Sequence, residues 1–207
     1  MRAKADYSKC MKSLSTCVLF ALFSACLSAQ VSAPTALVDN DFVQKQFGTS
    51  CSLNPLVSPA VADLDGDGVD DIVIPARCTN PMMDQGQFNY KVIDPFFTFY
   101  GYGNPAVTTM YSTELPENRS LVLLIIHGKG KDAWRTPKEK FLIVNLSYKQ
   151  IDLKKMKMKK KSIEAIYALE NGSDQMTSAT YWDGRKYRYM PVGSSLESPV
   201  EGGSTAR

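Results

Sequence analysis

Five aspartates fall within nine positions of the stretch VADLDGDGVDDIVI, residues 61–74. Asp63, Asp65, Asp67 and Asp71 follow the spacing D-x-D-x-D-G-x-x-D, with Gly66 and Gly68 set among them. Calcium takes about 6–8 oxygens at about 2.3–2.6 Å, and a tight loop with alternate inward carboxylates supplies such a shell. The glycines allow the turn, and Val69 is placed to contribute its main-chain carbonyl. Asp71 closes the set, while Asp70 points the other way. Carboxylates this close together repel at neutral pH unless something positive lies between them. The sequence therefore predicts Ca2+ held by Asp63, Asp65, Asp67, Val69 and Asp71. Magnesium, which wants a smaller octahedral site and keeps several waters, fits the loop less well.

The loop opens like an EF-hand and does not end like one. An EF-hand closes on a bidentate Glu at loop position 12 and lies between helices. Position 12 here is Ile74, and the flanks Ala60-Val61-Ala62 and Ile72-Val73-Ile74 read as strands. A β scaffold is therefore expected to position the carboxylates.

Other groups offer less chemistry. His127, the only histidine, ends an apolar run and reads as a strand-end residue rather than a catalytic base. Neither a nucleophile elbow nor a phosphate loop occurs. Trp134 and Trp182 are expected to pack rather than to stack on sugar. No catalytic residue is assigned. Lys154, Lys155 and Lys157 sit in an alternating stretch, where lysines guard an exposed sheet edge against pairing. As a second reading, the same lysines would contact an anionic surface.

A strand, DxDGDGxxD and a strand ending Ile-Val-Ile-Pro-Ala resembles the FG-GAP/VCBS repeat, the calcium-binding blade of integrin α propellers and of many exported bacterial proteins. Phe47-Gly48 is similar to the "FG" of that repeat, and Ala76 after Ile74-Pro75 to part of its "GAP". Leu123 to Gly128 resembles the strand that closes a blade. Tyr181-Trp182-Asp183-Gly184-Arg185-Lys186-Tyr187 resembles a hairpin found near the end of such domains. The resemblance implies a structural calcium and an exported protein. A propeller needs about four or more blades, and a single DxDxDG motif occurs in this chain. The fold class expected is thus mainly β: a small antiparallel β domain with a blade-like calcium loop, not a complete single-chain propeller. Assembly of several copies into a homo-oligomer is the less favoured route.

The elements around the loop read mostly as strands. They are Val57–Ala62, Asp71–Pro75, the aromatic run Tyr90–Tyr102, Leu121–Ile126, Phe141–Leu146 and Ile151–Lys159. Ser162–Glu170 has helical propensity, but its alternation favours a strand. Asn171-Gly172 and Asp183-Gly184 signal hairpins, so Ser162 to Met190 is expected as a three-strand meander.

At the start, Lys9 and Lys12 precede a short apolar run and then small residues, the pattern of a secretory signal peptide over 1–29. Met11 is an alternative start. Cys26 would carry a lipid only if Phe23–Cys26 serves as a lipobox. Residues 30–40 are expected as a linker, 41–192 as the β domain and 193–207 as a disordered tail. The chain carries 24 Lys+Arg and 21 Asp+Glu, and removing the four basic and one acidic residues of the leader leaves 20 of each. A neutral mature chain is not a general polyanion binder, so nucleic acid is not expected as a partner. Cys51 and Cys78 remain after the leader and are expected to form one disulfide, as suits an exported protein.

The function expected from these readings is an exported calcium-binding β domain, secreted or held in the periplasm or cell envelope. It would act as a non-enzymatic binding or adhesion module for a protein or glycan. The alternative is an accessory domain or small hydrolase acting on extracellular polysaccharide. Membrane contact would come only through lipidation or the lysine-rich strand.

Overall fold

The computed structural model describes residues 38–101, 118–158 and 161–192. The expected leader, most of the expected linker, Lys159 and the expected tail lie outside them. The elements in order are α1 (Asn40–Phe47), β1 (Cys51–Leu53), β2 (Ala60–Ala62), β3 (Asp71–Cys78), α2 (Gln85–Phe88), β4 (Lys91–Ile93) and α3 (Pro95–Tyr100). There follow β5 (Leu121–Gly128), a 3-10 segment (Gly130–Arg135), β6 (Pro137–Ile143), β7 (Gln150–Met158), β8 (Lys161–Leu169), β9 (Ser178–Trp182) and β10 (Tyr187–Pro191). The architecture is mainly β, in two separate sheets, with no closed barrel or propeller among the described residues.

The first sheet has the order β1-β3-β5-β6-β4, with β2 also on β3. Pro75 lies inside β3, where a missing N–H would ordinarily break a ladder. It is tolerated because β2 pairs with residues 71–73 and β1 with 76–78, so the proline falls at the gap between them. One pair departs from the antiparallel expectation: β4 runs parallel to β6, with Lys91 opposite Phe141. β5 is buried at every residue because the sheet is covered on both faces. Ile72, Ile74, Val122, Leu124, Ile126 and Leu142 face Val43 and Phe47 of α1 and the ring of Tyr90. On the other face Val73, Leu123, Ile125, Phe141 and Ile143 meet the second sheet through Ile151, Ile166, Ala168, Tyr187 and Tyr189.

The second sheet, order β10-β9-β8-β7, is an antiparallel meander. Residues 162–169 are strand as expected, because pairing with β7 and β9 on both sides and the burial of Ile166 and Ala168 against the first sheet outweigh their helical propensity. The turn after β8 is longer than a two-residue hairpin. Glu170 O accepts from Ser173 N, and the ladder resumes only at Ser178.

Two further expectations give way. The aromatic run after Tyr90 is not one strand: only Lys91–Ile93 is, and Pro95–Tyr100 is helical. Asp94 caps that helix by accepting from Phe97 N, and Pro95 sits in its first turn, where its missing N–H costs nothing. Residues 38–40 are not linker. Val38 is packed in the core, and Asp39 caps α1 by accepting from Phe42 N at 2.8 Å.

Candidate metal centre

The acidic loop joins β2 to β3, and its own amide groups shape it. Asp63 Oδ1 accepts from Gly66 N at 2.8 Å and Asp67 N at 3.1 Å, while Oδ2 accepts from Gly68 N at 2.9 Å. Asp65 Oδ1 accepts from Asp67 N at 3.2 Å, and Asp67 Oδ1 from Val69 N at 3.0 Å. Each bond closes the loop locally, a conformation that Asp favours because its short side chain reaches amides a few residues on, here two to five. Gly66 (φ 77°) and Gly68 (φ 82°) have open space about them, so backbone conformation and not room requires glycine there.

Asp71 differs from the others. It begins β3, is fully buried, and is held from both sides of the site. Its Oδ2 accepts from Leu64 N at 2.8 Å and Asp65 N at 3.3 Å, and its Oδ1 accepts from Gly128 N at 2.7 Å. Burial pushes its carboxyl up to about 7, against the pull of the Gly128 and Leu64 amides, with the Asp65 charge adding to the rise.

Asp63, Asp65 and Asp71 each bring one carboxylate oxygen within 4.8 Å of the others, a set that could hold a metal ion. Main-chain amides hold these carboxylates in place, and their hard oxygen donors suit a hard divalent cation. Asp67 lies outside this trio. Its Oδ2 accepts from Lys138 Nζ at 2.7 Å, and the same ammonium donates to Asp65 Oδ2 at 2.9 Å. The lysine hydrogen bond holds the Asp67 carboxyl below its ordinary range despite some desolvation, and in return the Lys138 ammonium is held well above its own. Val69 lies half-buried in the loop, and Asp70 is exposed.

Behind the loop stands His127, 1% exposed. Its Nδ1 is 3.5 Å from Asp65 Oδ2, and its Nε2 is 2.7 Å from the Tyr187 hydroxyl of the second sheet. The imidazole packs among Phe141, Trp182 and Tyr187, with centroids 5.0–5.7 Å away. Burial pushes it below its usual pKa, against the charges of Asp65 and Glu139. The neutral tautomer with Nδ1–H toward Asp65 and Nε2 accepting from Tyr187 satisfies both nitrogens. Trp182 packs in this ring cluster, and Trp134 is buried on the opposite face, as expected of both.

Cys51 and Cys78 are bonded, directly opposite each other on β1 and β3. Lys154, Lys155 and Lys157 are exposed on β7, the last strand of the second sheet. Lys154 pairs with Asp152 at 2.8 Å, and Lys155 lies opposite Glu164. These lysines thus line a sheet edge and are partly neutralised there. Sequence alone does not tie Lys138 to the loop, nor Tyr187, named above only within a hairpin motif, to His127. No local spacing marks Lys138, which joins the loop only through the register of β6.

No described helix is long and apolar enough to cross a membrane. Comparison with family models, with curated proteins and with solved structures returns no match to this chain.

Proposed function

We propose that this chain is an exported β domain in which the acidic loop binds calcium as a structural ion, and that the folded domain acts as a non-enzymatic binding module at the cell envelope. The observation that carries the calcium reading is the donor set. Three carboxylate oxygens lie within 4.8 Å, already oriented by main-chain amides in a loop between two strands. Asp67 and the Val69 carbonyl complete the shell once the ion enters, with water filling the remaining places. The ion supplies the positive charge that lets buried Asp71 stay ionised.

A binding role is favoured over catalysis by His127. Its two ring nitrogens are both engaged inside the fold, so it is withdrawn from any substrate. The buried Cys51–Cys78 disulfide suits an oxidising compartment and supports export.

Thermal melting with calcium and with chelator tests the calcium reading. An ion present at about a hundred times its dissociation constant stabilises the native state by about 2.7 kcal/mol. Identical melting temperatures would remove calcium from the account. A glycan array on the calcium-loaded domain then separates partners: specific sugar signals identify a glycan, and a blank array directs the search to a protein.

A further inference from the structure

The pairing of β5 with β6 contains one irregularity. His127 lies opposite Glu139 and Gly128 opposite Pro137, so Lys138 is the extra residue of a β-bulge. Bulges re-aim a side chain out of the regular alternation, and they recur beside functional sites. Here the bulged residue is the one whose ammonium reaches the acidic loop, 2.9 Å from Asp65 and 2.7 Å from Asp67. Its partners are two of the four carboxylates in the ligand set read from the sequence. One of them, Asp67, is also the carboxylate missing from the trio of converging oxygens.

We propose that Lys138 is a built-in counter-cation of the acidic loop, which a divalent cation must displace to complete its shell. The proposal rests on the calcium reading above and adds a competitor that sets the affinity. Without the ion, Lys138 neutralises Asp65 and Asp67 and keeps the loop closed. When the ion enters, Asp65 and Asp67 exchange the ammonium for the metal. The lysine swings into solvent, which is open to it because 43% of its side chain is already exposed. Lys138 thereby tunes the loop to a high concentration of calcium, as found outside cells, and leaves it closed at a low one.

The test is calcium titration by calorimetry of the full chain and of Lys138→Met, with Lys91→Met as control. Lys91 pairs with Glu139 on the same sheet at 3.5 Å and touches none of the loop carboxylates, so it reports the effect of losing a charge alone. A unit charge about 6 Å from a divalent ion in a water-like dielectric changes its affinity about tenfold. Lys138→Met should therefore bind calcium about tenfold more tightly, while Lys91→Met stays within about twofold of the wild type. In chelator the Lys138 variant should melt below the wild type, because its carboxylates have lost their counter-charge. The interval between chelated and calcium-loaded melts should widen. If the methionine variant does not fold, Lys138→Gln removes the charge at similar length and is held to the same outcome. Equal or weaker binding by the variants overturns the displacement proposal and leaves the calcium reading standing. Absence of binding in all the proteins overturns both.

Discussion

Gly128 ends β5 at the point where the acidic loop and the 3-10 segment converge. A Cβ there would lie 2.4 Å from Asp70 O, 2.6 Å from Ala133 C and 2.7 Å from Trp134 N. All three are main-chain atoms, so none can swing aside. Carbon contacts settle at about 3.5–4.0 Å, and an alanine must therefore push the loop and the 3-10 segment apart by about an ångström. Overpacking of this kind costs about 1–3 kcal/mol. Disturbing the bond from Gly128 N to buried Asp71 adds about 1–3 kcal/mol. Gly128→Ala should then lose about 4 kcal/mol in chelator, which at a urea slope of about 2 kcal/mol/M lowers the midpoint by about 2 M. Gly130→Ala is the comparison. Gly130 has φ +66° with nothing within 4 Å of a Cβ, so only left-handed strain opposes alanine. That strain costs about 1–2 kcal/mol, or about 0.5–1 M of urea. Urea unfolding followed by circular dichroism at matched buffer compares the two. If Gly128→Ala shifts the midpoint no further than Gly130→Ala, the close approach of loop and strand does not hold the site together. Calcium should also rescue Gly128→Ala less than it rescues Gly130→Ala, because only the former displaces Asp71.

Three further outcomes follow from named contacts. Tyr187→Phe leaves buried His127 Nε2 without the hydroxyl now 2.7 Å away, and should cost about 1–3 kcal/mol in urea unfolding; an undiminished midpoint would deny the hydrogen bond. Reduction, or replacement of both Cys51 and Cys78 by serine, opens a cross-link between residues 27 apart, worth about 3.5 kcal/mol on loop entropy, and the loss should persist with calcium present. Burial raises the Asp183 carboxyl, but Arg188 and the Arg185 and Lys186 amides outweigh it and hold the group below its usual range. A depressed folded-state pKa stabilises above the unfolded value of about 3.9 and is lost as pH falls through the folded one. Asp183→Asn should therefore be less stable than wild type at pH 7, with the gap closing in acid; a constant gap would contradict the assignment.

Much of the fold is legible in residue order. β5 and the β8–β9–β10 meander follow alternation or continuous apolar runs bounded by turn residues. The Cys51–Cys78 bridge matches the pairing expected of the two cysteines that lie beyond the leader-like stretch. The helix at 95–100 is different. Its aromatic residues favour strands by propensity, yet Asp94 and Pro95 carry a start signal that outweighs them: a side chain ready to cap, then a residue that lacks only an N–H the first turn does not use. The parallel placement of β4 has no local mark, because a three-residue strand shows nothing of its partner.

The same division runs through the candidate site. The sequence by itself determined the acidic turn, since the bonds from Asp63, Asp65 and Asp67 to amides two to five residues on depend only on spacing and on glycine at 66 and 68. Only the tertiary structure decided the electrostatics. Asp71 accepts from the amide of Gly128, 57 residues away; Asp65 and Asp67 are neutralised by a lysine 73 and 71 residues away; and His127 is held by a tyrosine 60 residues away. Local bonds are written in the spacing of neighbouring residues. Burial and charge at the site depend on strand register and on one bulge, which exist only once the two sheets have assembled.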